Sequence, residues 1–133
     1  MKESTVQNFE QMPNDLTLES SVLGAILINP GCMQDIWSVL TEEMFYDRFH
    51  KMVYRACREL DAKGSTIDLF TVSEELKKLD VKETAGKDVL SSILLLTQQC
   101  VSVSNVLEHS LILKSHHKIR KLIMLGSELQ NMS

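Results

Sequence analysis

Four histidines are the side chains best suited to bind a metal or transfer a proton near neutral pH. His116 and His117 are adjacent, so on a helix they point about 100° apart and cannot hold one metal together. His109 and His116 are two helical turns apart, which makes a weak ligand pair. His50 has a tyrosine four residues away on either side and fits a hydrogen-bonded packing residue. No metal site is expected.

Nucleotide-binding and catalytic motifs are not found in the sequence. A P-loop requires G-x-x-x-x-G-K-[ST], but Gly86-Lys87 is followed by Asp88, and the first glycine position holds Val81. G-x-G-x-x-G and H-E-x-x-H are also missing. A small helical enzyme would need a cluster of polar groups that the sequence does not show. Neither catalysis nor a bound cofactor is therefore expected in this chain.

Basic side chains cluster over residues 114–121, where the candidate phosphate contacts are Lys114, Lys118, Arg120 and Lys121. Contacts of this kind give DNA binding that weakens steeply with added salt. One alternative is therefore a helical DNA-binding module that uses this stretch. However, the formal net charge is −4, which provides no global basic field, and such a run is more often the solvated face of a long helix.

The composition is that of one helical domain. Of 133 residues, 44% are hydrophobic, enough for a core, and two prolines with five glycines favour helix over sheet. No apolar run approaches the roughly 20 residues of a membrane span, and the start lacks the apolar segment of a signal peptide. Three cysteines, none in a C-x-x-C pair, indicate reduced thiols in a cytoplasmic protein.

The stretch Pro13–Ile28 predicts an amphipathic helix at the centre of a bundle. Pro13 breaks any preceding helix, and Asp15 can accept hydrogen bonds from the first free backbone N–H groups. Within it, a strip of small side chains at i, i+4 spacing would let another helix approach closely; the strip is Ser20, Ser21, Gly24 and Ala25.

Capping residues divide the following sequence into further helices. Asp47 and Asp68 each precede an apolar helical pattern and are predicted N-caps. Residues 81–87 are predicted to form a polar turn. The elements predict an all-α fold, a compact multi-helix bundle over residues 13–101, preceded by a disordered tail at residues 1–12.

A long helix is predicted over residues 102–133, with Ser102 as its cap. About 28 residues would span roughly 40 Å, which exceeds a compact domain of this size, so the far end should project. Apolar side chains return near its end: Leu122, Ile123, Leu125 and Leu129. An apolar stripe on a projecting helix needs a partner. The alternative is that Leu122 and Leu125 pack on their own helical head.

Five segments match, in order, the pattern of one known family. They are Pro13 with Glu19 and Leu23-Gly24; Phe45-Tyr46 with His50 (F-Y-x-x-x-H); Gly64–Val72 (G-x-x-[IV]-D-L-x-T-V); Ala85-Gly86 with Leu90 (part of G-G-x-x-Y-L); and Asn105 with Arg120–Ile123. Together they resemble the N-terminal domain of DnaB-type replicative DNA helicases. Ala85 replaces the usual first glycine, and Val89 stands where the family commonly has tyrosine.

The resemblance implies a role in assembly rather than catalysis. In that family the long helix begins a helical hairpin, whose second arm is not found in this chain, so the hairpin here would be truncated. Hairpins of paired subunits form a collar on the helicase hexamer, and the collar binds the C-terminal domain of primase. The implied contacts with other helicase subunits or primase are Val89, Leu122, Ile123, Leu125 and Leu129.

The same resemblance places the enzymatic work elsewhere. ATP, magnesium and most DNA contacts would belong to a RecA-like motor domain, which is absent from this sequence. The chain is therefore expected to be an isolated N-terminal domain of a cytoplasmic DNA helicase, with no membrane contact and no ATPase activity of its own.

Overall fold

The computed structural model describes residues 15–132. Within that range the chain forms α-helices and 3-10 turns and no strand, which confirms the all-α prediction. The elements in order are α1 (Leu16–Ile28), a 3-10 turn (Pro30–Cys32), α2 (Met33–Ile36), a second 3-10 turn (Glu42–Met44), α3 (Arg48–Ala62), α4 (Leu69–Leu79), α5 (Val81–Thr84), α6 (Val89–Gln98) and α7 (Val106–Met132). The tail predicted at residues 1–12 lies outside the described residues.

Helix α1 is the centre of the bundle, as predicted. Its N-cap is Asp15, whose carboxylate accepts the N–H of Leu18 at 2.9 Å. Every residue from Glu19 to Leu27 is buried, because α3, α6 and α7 all pack on this helix. The amphipathic pattern expected for it is therefore wrong, since α1 is enclosed on all sides and exposes apolar side chains mainly at its two ends.

Gly24 marks the place where α6 approaches α1. A Cβ atom at this position would overlap the carbonyl oxygen of Leu96 and would stand 3.0 Å from Cβ of Cys100. Nearby, the hydroxyl of Ser21 accepts the backbone N–H of Val101 at 2.8 Å. The predicted strip of small side chains thus does admit a neighbouring helix.

Capping predictions hold at the next two long helices. Asp47 accepts the N–H of His50 at 3.1 Å. Asp68 accepts the N–H of Thr71 at 2.8 Å, and the Thr71 hydroxyl accepts the N–H of Asp68 at 2.9 Å, which completes a capping box. These capping bonds explain why α3 and α4 begin where the sequence indicates.

Two boundaries differ from the prediction. The polar turn expected over residues 81–87 contains the short helix α5. Helix α7 begins at Val106 rather than after Ser102, because the Ser102 hydroxyl bonds the hydroxyl of Ser104 at 3.1 Å instead of capping a backbone N–H.

The core continues from α1 to an aromatic pair on the other side of the bundle. Tyr54 is fully buried, its hydroxyl donates to the carbonyl of Leu40 at 2.6 Å, and its ring centre lies 5.1 Å from that of Phe45.

Within residues 15–132 no single helix is long and apolar enough to cross a membrane. Helix α1 and Pro30–Ile36 together reach the required length and composition, but they are bent by 115°.

Candidate functional site

The first part of α7 lies against the head of the domain. Its buried residues are Val106, Ser110, Leu113 and Arg120. Their spacing places them along one side of the helix, which contacts α1, α2 and the turn Glu42–Met44. This contact fixes the direction in which the rest of α7 leaves the head.

Arg120 anchors the helix at the edge of the head. Its guanidinium donates to the carbonyl of Met44 at 2.9 Å and lies 5.5 Å from the ring centre of Tyr46. The residue is only 8% exposed. Arg120 was predicted as a possible phosphate contact; the structure shows its guanidinium buried and bonded to the turn before α3, and the phosphate contact stays a prediction.

The other three candidate phosphate contacts remain on the surface. Lys118 and Lys121 are exposed, and Lys114 is half-buried. Their spacing of four and three residues places them on one side of α7. The basic stretch therefore divides into three surface lysines and one buried arginine.

Beyond Arg120, α7 leaves the head. Residues 121–132 are all exposed, and at 1.5 Å per residue they extend about 18 Å. The predicted apolar side chains lie here: Leu122 is 68% exposed, Ile123 43%, Leu125 53% and Leu129 61%. They do not pack on their own head, so the alternative of an intramolecular contact for Leu122 and Leu125 is wrong.

The apolar stripe also continues back along α7. Leu107 and Leu111 are 41% and 48% exposed. At about 100° per residue they fall on the same side as Leu125 and Leu129, and the surface lysines Lys114, Lys118 and Lys121 also lie on this side. We call this side, comprising Leu107, Leu111, Leu122, Leu125 and Leu129, the outward face of α7, whereas Ile123 is exposed on another side of the projecting segment.

Val89 lies elsewhere in the molecule. It is 5% exposed, starts α6, and lines a cavity between α3, α4, α5 and α6. Val89 was predicted as a contact together with residues of α7, but the structure places it in a cavity that is separate from α7. A partner could touch Val89 only by inserting a side chain into that cavity.

A buried polar network holds the turn on which Arg120 rests. Glu19 of α1 is fully buried and accepts the backbone N–H groups of Tyr46 at 2.6 Å and Asp47 at 3.3 Å. His50 donates from Nδ1 to the Glu19 carboxylate at 2.8 Å. Its Nε2 lies 3.3 Å from the Ser20 hydroxyl. One carboxylate thus satisfies three donors, as a buried charge requires.

This network connects the core to the buried side of α7. Glu19 fixes the backbone at Tyr46, the same segment supplies the carbonyl of Met44, and that carbonyl holds Arg120. The prediction of His50 as a hydrogen-bonded packing residue is confirmed. Sequence reasoning missed the roles of Glu19 and Arg120. A charged residue inside an otherwise apolar helix was the available signal for Glu19.

Comparison with known proteins identifies the family to which this helical domain belongs. Residues 11–115 match the model of the DnaB-like helicase N terminal domain. The chain belongs to this family. It is 36% identical over 111 residues to "Replicative DNA helicase DnaB" of Rhodothermus marinus, covering 84% of this chain and 12% of that protein. It is 29% identical over 111 residues to "Replicative DNA helicase DnaC" of Bacillus subtilis, covering 84% of this chain and 24% of that protein.

A solved structure shows the same fold. The N-terminal domain of DnaB helicase from Mycobacterium tuberculosis aligns with a TM-score of 0.83 at 26% identity, covering 91% of this chain and 86% of that one. The all-α arrangement is therefore that of the DnaB-like N-terminal domain. The chain spans only a small part of the full-length relatives it matches.

In this DnaB-like domain, Ser20 is hydrogen-bonded to His50 and His50 to Glu19. The same order of serine, histidine and carboxylate occurs in the catalytic triad of hydrolases. Ser20 and His50 are each 7% exposed, and Glu19 is fully buried. Ser20 also sits within α1, where neighbouring turns surround it. A substrate cannot reach the hydroxyl, so the network serves to position the turn before α3.

Two of the three cysteines, Cys32 and Cys57, are buried. Burial raises the pKa of the Cys57 thiol to about 12 and that of Cys32 to about 11. Both are therefore protonated at neutral pH and poor nucleophiles. Between residues 15 and 132, no group of three or more His, Cys, Asp or Glu side chains is arranged to hold a metal ion.

Proposed function

We propose that this domain mediates helicase subunit assembly and primase binding during DNA replication, with the outward face of α7 as its contact surface. The observation that carries the proposal is the exposure of Leu122, Ile123, Leu125 and Leu129 on a segment that projects from the head. Contiguous apolar surface of this kind marks an interaction site.

The size of this surface favours a weak contact that other subunits must reinforce. Full burial of a leucine-sized side chain stabilises by about 1.5–3 kcal/mol. The four side chains are 43–68% exposed, so covering them contributes about 3–7 kcal/mol. Association costs at least about 4 kcal/mol in lost freedom. We therefore expect the 133-residue chain to be a monomer or a weakly associating dimer, and the hexamer to need the full-length protein.

The C-terminal domain of primase is the proposed partner from outside the helicase. Its support is membership of the DnaB-like family together with an apolar surface suited to protein contact. In this proposal the parent is an ATP-dependent DNA helicase of the cytoplasm. ATP, magnesium and most DNA contacts belong to a motor domain beyond the matched segment. This domain sets hexamer geometry and brings primase to the site of unwinding.

A calorimetric titration with the C-terminal domain of primase from the same organism tests the proposal. Light scattering in the same buffer reports the mass of each species. We expect binding that Leu125→Asp weakens at least tenfold, since a carboxylate would be desolvated in an apolar contact. Ser127→Asp places the same charge on the same exposed segment and should bind as the unaltered domain does.

Two results would contradict this assignment. One is primase binding that Leu125→Asp and Ser127→Asp affect equally, which would move the contact away from the outward face of α7. The other is no binding by a folded domain that remains monomeric at every concentration.

DNA binding by Lys114, Lys118 and Lys121 is the second candidate function. The observation that favours it is that these three lysines share one side of α7. Titration with duplex DNA at two salt concentrations tests it. Binding that weakens steeply with salt and disappears in the triple Lys→Gln variant would support a phosphate contact.

A further inference from the structure

A cavity of about 370 Å³ lies apart from α7, between the start of α3, the end of α4, α5 and the start of α6. Its volume is at the lower end of the range for ligand pockets. The floor is apolar and consists of Phe49, Met52, Leu76 and Val89. Leu76 and Val89 are 1% and 5% exposed, so the floor belongs to the core. The cavity can receive a bulky apolar group.

The rim of the cavity is polar and carries more positive than negative charge. Arg48 and Lys87 line it, and the carboxylate of Asp80 is bound to Arg48 at 3.1 Å. Arg48 remains 72% exposed despite this ion pair. Thr84 and Ser92 complete the rim with hydroxyl groups.

A row of cations leads away from the cavity along α3. Arg48, Lys51 and Arg55 are spaced at i, i+3 and i+7, which places them on one side of the helix. Among residues 15–132, Lys51 and Arg55 form no ion pair within 4 Å. Two acidic residues, Glu42 and Glu59, line a pocket together with Arg55 and end the row. In a chain of net charge −4, this is a local basic surface joined to an apolar pocket.

We propose that this cavity and the cation row bind an acidic peptide segment of a partner protein, which inserts one bulky apolar side chain. The row spans about 10 Å, which corresponds to about three residues of extended chain. An acidic run beside the apolar residue would therefore meet Arg48, Lys51 and Arg55 in succession. The proposal is independent of the outward face of α7.

A peptide fits this surface better than a nucleic acid does. Binding of single strands combines a positive groove with exposed aromatic rings on which bases stack. Phe49 is the aromatic side chain in the cavity, and it is half-buried in the floor rather than presented along the row. An apolar cavity beside a row of cationic side chains is complementary to a peptide that carries both an apolar residue and acidic residues.

A fluorescein-labelled peptide with a Phe-Leu pair flanked on each side by four glutamates is the probe. Fluorescence anisotropy with the 133-residue chain should show saturable binding. A peptide with serines in place of Phe-Leu should bind at least tenfold more weakly, and one with lysines in place of the glutamates should not bind. Unlabelled oligo-dT of the same charge should fail to displace the probe.

Paired variants of the domain test the placement. Ser92→Trp fills the cavity from an exposed position, whereas Leu94→Trp adds the same side chain on another side of α6. Arg55→Glu reverses a charge in the row, and Lys78→Glu makes the same change on α4. We expect the first of each pair to weaken peptide binding at least tenfold and the second to leave it unchanged. Circular dichroism confirms that each variant is folded.

Three outcomes would overturn the proposal. Probe binding that equals that of the serine peptide would show that the cavity takes no part. Displacement by oligo-dT together with indifference to Ser92→Trp would make the row a phosphate site. Absence of any probe binding by the folded domain would remove the site altogether.

Discussion

Replacement of Gly24 by alanine tests the contact between α1 and α6. On helix propensity alone the change should stabilise the domain by about 1 kcal/mol, since glycine is a poor helix former. The structure predicts the opposite sign. The added methyl group would overlap the carbonyl oxygen of Leu96, which is backbone and cannot rotate away as a side chain would.

The size of the effect follows from these opposing contributions. Overpacking a core by one methyl group typically costs about 1–3 kcal/mol. A backbone obstacle places Gly24→Ala at the upper end of that range, because α6 must move as a unit. After subtracting the gain in helix propensity, we expect a net loss of about 2 kcal/mol in the free energy of unfolding.

Gly126→Ala is the matched control. Gly126 is also in an α-helix, but a Cβ atom added there would meet nothing within 4 Å. Here the helix propensity acts unopposed, so stability should rise by up to about 1 kcal/mol. The same chemical change should therefore have opposite signs at the two sites.

Urea unfolding followed by circular dichroism measures both variants, at a concentration where light scattering shows a monomer. A loss of 2 kcal/mol should lower the midpoint by about 1 M, given a typical slope. If Gly24→Ala were as stable as the original domain or as Gly126→Ala, the close approach of α6 would be refuted.

Three other predictions concern the buried groups. Glu19→Gln should lower the free energy of unfolding by about 2–3 kcal/mol, because an amide cannot accept hydrogen bonds from all three donors. Amide hydrogen exchange at Tyr46 should also become faster. Unaltered protection of this amide would contradict the link from the core to α7. Desolvation and Arg120 hold the pKa of His117 below its ordinary value of 6.5. The unfolded chain therefore binds that proton more readily, so stability should decrease as pH falls below 6.5, and His117→Asn should reduce the slope. Iodoacetamide at pH 8 should leave Cys57 unmodified until urea unfolds the domain, since burial raises its pKa to about 12; modification of Cys57 in the folded state would exclude a closed core.

Local signals in the sequence were reliable where the chemistry is local. Asp15, Asp47 and Asp68 cap helices because each carboxylate bonds a backbone N–H group two or three residues further on. A helix start of this kind depends on a few consecutive residues. The boundary at Ser102 was wrong because its hydroxyl had a second local partner in Ser104.

The family and its fold could also be recognised from the sequence, because five short segments occur in the required order. The projecting end of α7 followed from simple geometry, since about 28 helical residues span roughly 40 Å, which is long for a compact domain of this size. The exposure of Leu122 and Leu129 then agreed with that expectation. Their role as contacts remains a prediction.

Tertiary structure alone decided which charged groups are used inside the molecule. Arg120 lies in a basic stretch, yet it is buried because a carbonyl from residue 44, far away in the chain, meets its guanidinium. Glu19 resembles a first-turn acidic residue, yet it organises a turn 27 residues later. Val89 and Arg48 are brought to one cavity only by the packing of four helices. The sequence determined its helices and their caps by local bonding, whereas contacts between distant residues depend on how those helices pack.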